Sequence, residues 1–313
     1  MFSEPENLAS NQELDVKTQL DDGIRMLQGQ THMVDGTLHF CHTSCDLLDA
    51  GPVVDYFTKV VEWINVHPDD VVTILLSNGD RADVKSFIDP MEKSGLKKLA
   101  YVPPKTPMAL ADWPTLSSLI KSGKRAVVFM DYKADQAAVP YVLDEFSQLW
   151  ETPFSPTDPD FPCTVHRPSN LKEAQARDRL YMANHNLNSK INIPGTDDIL
   201  YPNLDDIAKT NSETGASSLG VAADACTKSH SRPPNFLLVD YYNRGVPSGA
   251  VFKVAARLNK VIYKRPCCGK PRPAEPEFSG LGSGQENKDE KKGEEKEPSG
   301  LMGVISDIAS IFS

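Results

Sequence analysis

Apolar positions along this chain follow two periods, and the way they alternate already suggests an architecture. Val53, Tyr56, Phe57, Val60, Val61 and Ile64 recur at helical spacing and stop before Pro68. Val71 to Leu76 and Arg125 to Met130 are continuous and largely apolar, as strands covered on both faces must be. Gly23 to His32 and Leu38 to Cys41 read as a strand and its extension, joined by a turn at Asp35-Gly36. Short helices are expected at Val84 to Asp89, stopped by Pro90, and at Leu116 to Lys121, ended by Gly123. Val139 to Trp150 also reads as helix, with Pro140 in its first turn.

Further along, Glu151 to Pro162 is a proline- and aspartate-rich loop and Arg179 to Ala183 a strand. Asn186 to Asn211 shows no clear period, and Glu213 to Lys228 is helical in part. Asn235 to Tyr242 is the clearest late strand and Ala250 to Leu258 the last helix. Strands alternating with helices argue for a parallel α/β fold. The order divides into a folded region, 1–270, and a tail, 271–313. As far as Gly300 the tail is rich in Pro, Gly, Glu and Lys, too poor in apolar surface to offset its ordering entropy. Leu301 to Phe312 is apolar enough for a short amphipathic helix, a candidate for peripheral contact with a membrane.

Charge narrows the function. The net charge is -10, and half of it lies beyond Pro273, where nine acidic residues face four basic ones. The folded region is therefore mildly acidic, which argues against a general nucleic-acid partner. No apolar run approaches the length of a membrane helix, and the first thirty residues lack the apolar core of a signal peptide. Six cysteines, Cys41, Cys45, Cys163, Cys226, Cys267 and Cys268, fit an oxidising compartment. Cys41 and Cys45 flank His42, either as a small disulfide loop or as part of a metal site. No second Cys/His pair stands at suitable spacing, so the expectation is no metal. Cys163 and Cys226 form a plausible second pair, and Cys267-Cys268 pairs outward or stays free.

The stretch Leu20-Asp21-Asp22-Gly23-Ile24-Arg25-Met26-Leu27-Gln28-Gly29-Gln30, followed by Cys41-His42-Thr43-Ser44-Cys45, resembles the X-domain of phosphatidylinositol-specific phospholipase C. The resemblance is strongest to the secreted fungal branch, and it continues through Trp63 to Leu76, Trp113 to Leu116 and Asn235 to Asn243. It implies an irregular TIM-type (β/α) barrel with its active site at the C-terminal ends of the strands. It also implies a phosphoric diester hydrolase of lipid metabolism, secreted, acting on a phosphoinositide-like substrate by histidine acid/base catalysis. The alternative is an impaired barrel that only binds a phosphorylated ligand or partner.

In that picture His42 takes the place of the family's second histidine, the general acid, and Asp240 that of an aspartate that orients the first. The segment carrying the first histidine is not found, so the expectation is a barrel that lacks its first strand in this chain. Gln28 and Gln30 stand where relatives carry an aspartate and an arginine, or calcium ligands, so no cofactor is expected. The two glutamines share one face of their strand, and Arg25 points to the other. Asn78, at the end of its strand, and Asn184, with His185 beside it, are further candidates to line the substrate site.

Overall fold

The computed structural model describes residues 7, 9–42, 44–192, 199–270 and 310–312. In chain order the strands are β1 (Met26–Val34), β2 (Thr37–His42), β3 (Ser44–Pro52), β4 (Val72–Asn78), β5 (Ala126–Met130) and β6 (Leu143–Asp144). They continue as β7 (Leu149–Glu151), β8 (Leu180–Asn184), β9 (Asn188–Ile191), β10 (Ile199–Pro202), β11 (Phe236–Leu238) and β12 (Ser310–Phe312).

One large sheet runs β6-β5-β4-β1-β12-β11-β8-β7, and every neighbour along that path is parallel. β2 and β3 hang from β1 as an antiparallel meander. The β1–β2 turn takes positive φ at Asp35 (48°) and Gly36 (80°), the twist that a two-residue hairpin needs. β9 and β10 form a separate two-stranded ribbon in the segment whose period was illegible.

Chain connectivity makes the large sheet curl. Laid flat, the end strands of this path would stand about 34 Å apart, at about 4.8 Å per neighbour. Only Glu145–Gln148, a single turn of helix, links β6 to β7. Four residues span at most about 18 Å, so the two ends must come round toward each other. No ladder joins β6 to β7 among the described residues, and the sheet is not a closed barrel.

The curled sheet separates two cores. Leu27, Ile74, Leu76, Val128, Trp150, Tyr181 and Val239 lie in the outer core with the helices Val53–Val66 and Ala250–Leu258. Met26, Leu75, Phe129, Leu149, Met182 and Leu238 pack with one another and with Trp113 in the inner core. Both faces are covered, which is why β4 and β5 read as unbroken apolar runs.

Three expectations change. Val139 to Trp150 is not one helix but β6, one helical turn and β7, because Leu143 and Leu149 are needed in the inner core. Pro90 does not stop a helix; it sits in the first turn of the helix Ile88–Lys93, where its missing N–H costs nothing. At the chain's end, Ser310–Phe312 is a strand between β1 and β11 rather than part of a helix. The rest of the tail expectation, 271–309, lies outside the described residues.

Two cysteine pairs form as anticipated, Cys41–Cys45 with Cα atoms 4.9 Å apart and Cys163–Cys226 at 5.1 Å. The first excludes the metal alternative for those thiols. Cys267 and Cys268 lie side by side, where the expectation was that they pair outward or stay free.

Candidate active site

Strand periodicity builds the site. Side chains two apart share a face, so each inward apolar residue is followed by another inward residue nearer the C-terminal end. Met26 is followed by Gln28 and Gln30, Leu75 by Ser77, and Phe129 by Asp131. Leu149 is followed by Glu151, Met182 by Asn184, and Leu238 by Asp240. The interior is thus an apolar plug surmounted by a polar collar at the C-terminal ends of the parallel strands.

The collar is densely charged. Arg167, from the loop after β7, reaches it with Nε and a terminal nitrogen both 2.7 Å from Glu151 Oε2. That loop is held by main-chain bonds in both directions, Glu151 N–H to Arg167 O and His166 N–H to Glu151 O, each 2.8 Å. Glu145 is wholly buried, and burial first, then the Glu151 carboxylate, push its carboxyl well above the usual range. Among the described residues neither Glu145 oxygen has a donor facing it, and its neighbour is another carboxylate. A proton on Glu145 turns that contact into a hydrogen bond. Burial also raises Asp131, although its carboxylate accepts from the backbone N–H groups of Asn78 and Tyr132.

The glutamine pair enters this collar. Gln28 Nε2 donates to Ser77 Oγ at 3.3 Å, and its buried Oε1 has no donor among the described residues. Gln30 lies opposite Ser77 on one side and Cys41 on the other. Arg25 is at the far end of β1, paired with Asp70 at 2.8 Å and stacked over Trp63 at 4.8 Å. A surface pocket of about 530 Å³ opens there, lined by Arg25, Asp70, Leu116 and Lys121. It is on the opposite end of the sheet from the collar.

His42 and Asp240 meet through the N-terminal segment. His42 Nδ1 donates to the carbonyl of Ala9, and Tyr241 N–H donates to Asn11 O at 2.8 Å. Gln12 Nε2 donates to Val239 O, and the Tyr241 hydroxyl donates to Ser10 O. Residues 9–12 are therefore strapped between β2 and the end of β11. Burial pulls the His42 imidazole below its ordinary value against the Ala9 bond, so it is neutral at pH 7, with the lone pair on Nε2. Burial pushes the Asp240 carboxyl up to about 7, so it keeps its proton to far higher pH than an exposed aspartate.

The other candidates divide. Asn184 belongs to the collar: Nδ2 donates to Thr152 O at 2.9 Å and reaches Glu151 Oε2 at 3.4 Å, while its buried Oδ1 has no donor among the described residues. Asn78 does not belong. It follows Ser77 onto the outer side, donates to Ala82 O and Tyr132 O, and accepts from Ala82 N–H. Its amide braces two loops and has nothing left for a ligand. His185 is buried against Phe161, its Nε2 2.9 Å from Thr210 O, and burial lowers it to about 4. It is a neutral loop anchor.

Sequence reading missed Asp131, Glu145, Glu151, Ser77 and Arg167. Asp131 was accessible, since it ends a buried strand as Asp240 does. Glu145 and Glu151 were hidden by the helical reading of their segment, and Arg167 carries no local signal. Also missed was the pair His32 Nδ1 and Asp80 Oδ1, 2.7 Å apart, beyond Gln30 on β1. No three His, Cys, Asp or Glu side chains among the described residues are placed to hold a metal ion. The donor set does not suit calcium either, because Arg167 already neutralises Glu151.

The sequence of the chain matches one family model. The PI-PLC X 1 model covers residues 4–259. The chain belongs to the PI-PLC X family. It is 57% identical over 269 residues to an uncharacterized secreted protein of Arthroderma benhamiae, covering 86% of this chain and 61% of that one. A PI-PLC X domain-containing protein 1 of the same organism is 45% identical over 255 residues, 80% of this chain and 79% of that one. A PI-PLC X domain-containing protein of Arabidopsis thaliana is 28% identical over 264 residues and is covered to 55% of its length. The chain therefore spans under two thirds of two of these relatives.

Proposed function

We propose that this PI-PLC X chain binds a phosphodiester of the phosphoinositide class at the collar and cleaves it by proton transfer through His42. The observation that carries the reading is the collar itself, hydrogen-bonding groups from six strands converging above an apolar floor. The curled sheet is read as an irregular TIM-type barrel, whose strand ends form the active face. His42, which burial favours in its neutral form, suits proton exchange with the reacting oxygens. Asp240, its carboxyl raised to about 7, suits the complementary proton transfer. Gln28, Gln30 and Asn184 would supply hydrogen bonds to phosphate or sugar oxygens.

A binding-only role is the second reading. It is favoured by Gln28 and Gln30, neutral amides where a cleaving site gains most from a fixed positive charge. Secretion is proposed from the disulfides and from the fungal relative's designation.

The test measures release of cyclic inositol phosphate from phosphatidylinositol by the chain and by His42→Ala. Loss of about 10²-fold or more in the variant supports catalysis. Equal measurable rates in both proteins remove His42 from the chemistry, and no release by either leaves the binding role.

A further inference from the structure

Beyond the collar, two histidine–aspartate pairs cross the strands that carry His42. His32 Nδ1 lies 2.7 Å from Asp80 Oδ1, and Met33 N–H donates to the other oxygen of that carboxylate at 2.7 Å. His39 Nδ1 lies 2.9 Å from Asp49 Oδ2 and 3.0 Å from Oδ1, and Gly51 N–H donates to Oδ1 at 2.8 Å. A carboxylate only accepts, so each ring donates from Nδ1. His32 and His39 are direct partners in the β1–β2 ladder and stand on one face of it. The side chains therefore form one row, from the end of β4 through β1 and β2 to β3. The β1–β4 ladder stops at Thr31 and Asn78, and the Asp80 bonds to His32 and Met33 carry the attachment past it. Gly79 makes room for this: a Cβ there would stand 2.6 Å from His32 Cε1 and 2.8 Å from Nε2.

Resting on the reading of His42 given above, we propose that His39 and Asp49, anchored to the large sheet by His32 and Asp80, are positioning residues that aim His42. The need for them lies in the β2–β3 ladder. Its register shifts between His39 and Cys41 and again between Cys41 and His42. Leu38 and Phe40 point into the outer core, where Phe40 packs on Tyr56 and Phe57 of the helix Val53–Val66. Regular alternation would send His42 the same way, and the shifts beside it interrupt that alternation. A slip of one residue turns a side chain to the opposite face, so an irregular ladder needs a fixed point. The Cys41–Cys45 disulfide closes the loop around His42 but joins residues only four apart, which does not fix where β3 sits against β2. Asp49 does. It lies opposite Cys41 in the ladder, and its carboxylate is gripped by the ring of His39 and by Gly51 N–H. Partly exposed pairs of this kind add little to global stability, so their weight falls on orientation.

The experiment follows solvent exchange of the His42 ring N–H, which is bonded to the Ala9 carbonyl, by nuclear magnetic resonance of the full chain. His39→Leu should speed that exchange by about tenfold, as expected when roughly one hydrogen bond's worth of order is lost. Gly79→Ala keeps all of the paired side chains and pushes the His32 ring off Asp80, so it should speed exchange in the same sense by a smaller factor. His39→Asn places an amide donor where Nδ1 was and should return exchange to within about twofold of the parent. Melting temperature should stay within about 3 °C throughout. Unchanged exchange at His42 in His39→Leu or Gly79→Ala, or no rescue by His39→Asn, overturns the proposal. Equal acceleration of the β4 and β5 backbone amides also overturns it, because the pairs would then serve only general stability. If His39→Leu does not fold, Gly79→Ala decides alone. In the release of cyclic inositol phosphate, His39→Leu should lower kcat and leave KM unchanged. The ring readout needs no turnover, so a failed His42→Ala assay sinks hydrolysis alone, and unmoved exchange sinks the positioning role alone.

Discussion

The lower and upper halves of the sheet interior are made by the same strands, yet they obey different rules. Below, Leu75, Phe129 and Met182 interlock with no polar atom to satisfy. Above, two residues on, Ser77, Asp131 and Asn184 bring donors and acceptors that do not all find partners. The plug is organised for stability, while the collar keeps buried groups unpaired or shifted in pKa. Buried unsatisfied groups cost free energy, and Gln28, Glu145, Glu151 and Asn184 carry such atoms in the collar, as Trp113 does in the plug.

That contrast is open to measurement. Phe129→Ala, in the plug, should lose about 3–5 kcal/mol in denaturant unfolding, since the ring is 1% exposed and leaves a cavity. A loss below about 1 kcal/mol would mean that the inner core is not the packed floor described here.

Asp240→Asn tests the collar. The carboxyl is raised from 3.8 to about 7. Between those values the unfolded chain has released the proton and the folded chain keeps it, so stability falls as pH rises from about 4 to 7. The loss is at most about 4 kcal/mol. The variant should lack this slope and be the more stable protein above pH 7, as followed by melting across pH. Parallel pH profiles would show that Asp240 is not buried as a neutral acid.

His185→Gln should change the acid side in the opposite sense. His185 is lowered from 6.5 to about 4, so the parent loses stability as pH falls through that window, by at most about 3 kcal/mol. The variant should resist acid better there, and an unchanged acid limb would contradict the loop-anchor role. The smallest effect belongs to Gln28→Met. It removes a buried carbonyl oxygen that has no donor together with a long bond to Ser77, so stability should move by less than about 1 kcal/mol. A large destabilisation would mean that Gln28 belongs to the structural half of the interior.

Much of the framework was legible because it is local. The helix at Val53–Val66, the hairpin at Asp35-Gly36 and the buried strands β4 and β5 follow from period, turn chemistry and continuous apolar runs. His42 between Cys41 and Cys45, and the shared face of Gln28 and Gln30, were likewise readable from spacing. Asn78 shows the limit. Its place at a strand end suggested a ligand, but the residue alternates outward and its amide is consumed by Ala82 and Tyr132.

The sequence by itself determined the family, the alternation of strands and helices, and the shared face of the neutral glutamines Gln28 and Gln30. Each of these is encoded within a few residues or in one motif. The tertiary structure alone decided that Glu145, Glu151, Arg167 and Asn184 share one buried space, and that burial raises the Asp240 carboxyl. Those properties depend on curling the sheet until its distant ends approach, and on excluding water from the collar. Neither the curl nor the local dielectric is written in any single stretch of chain.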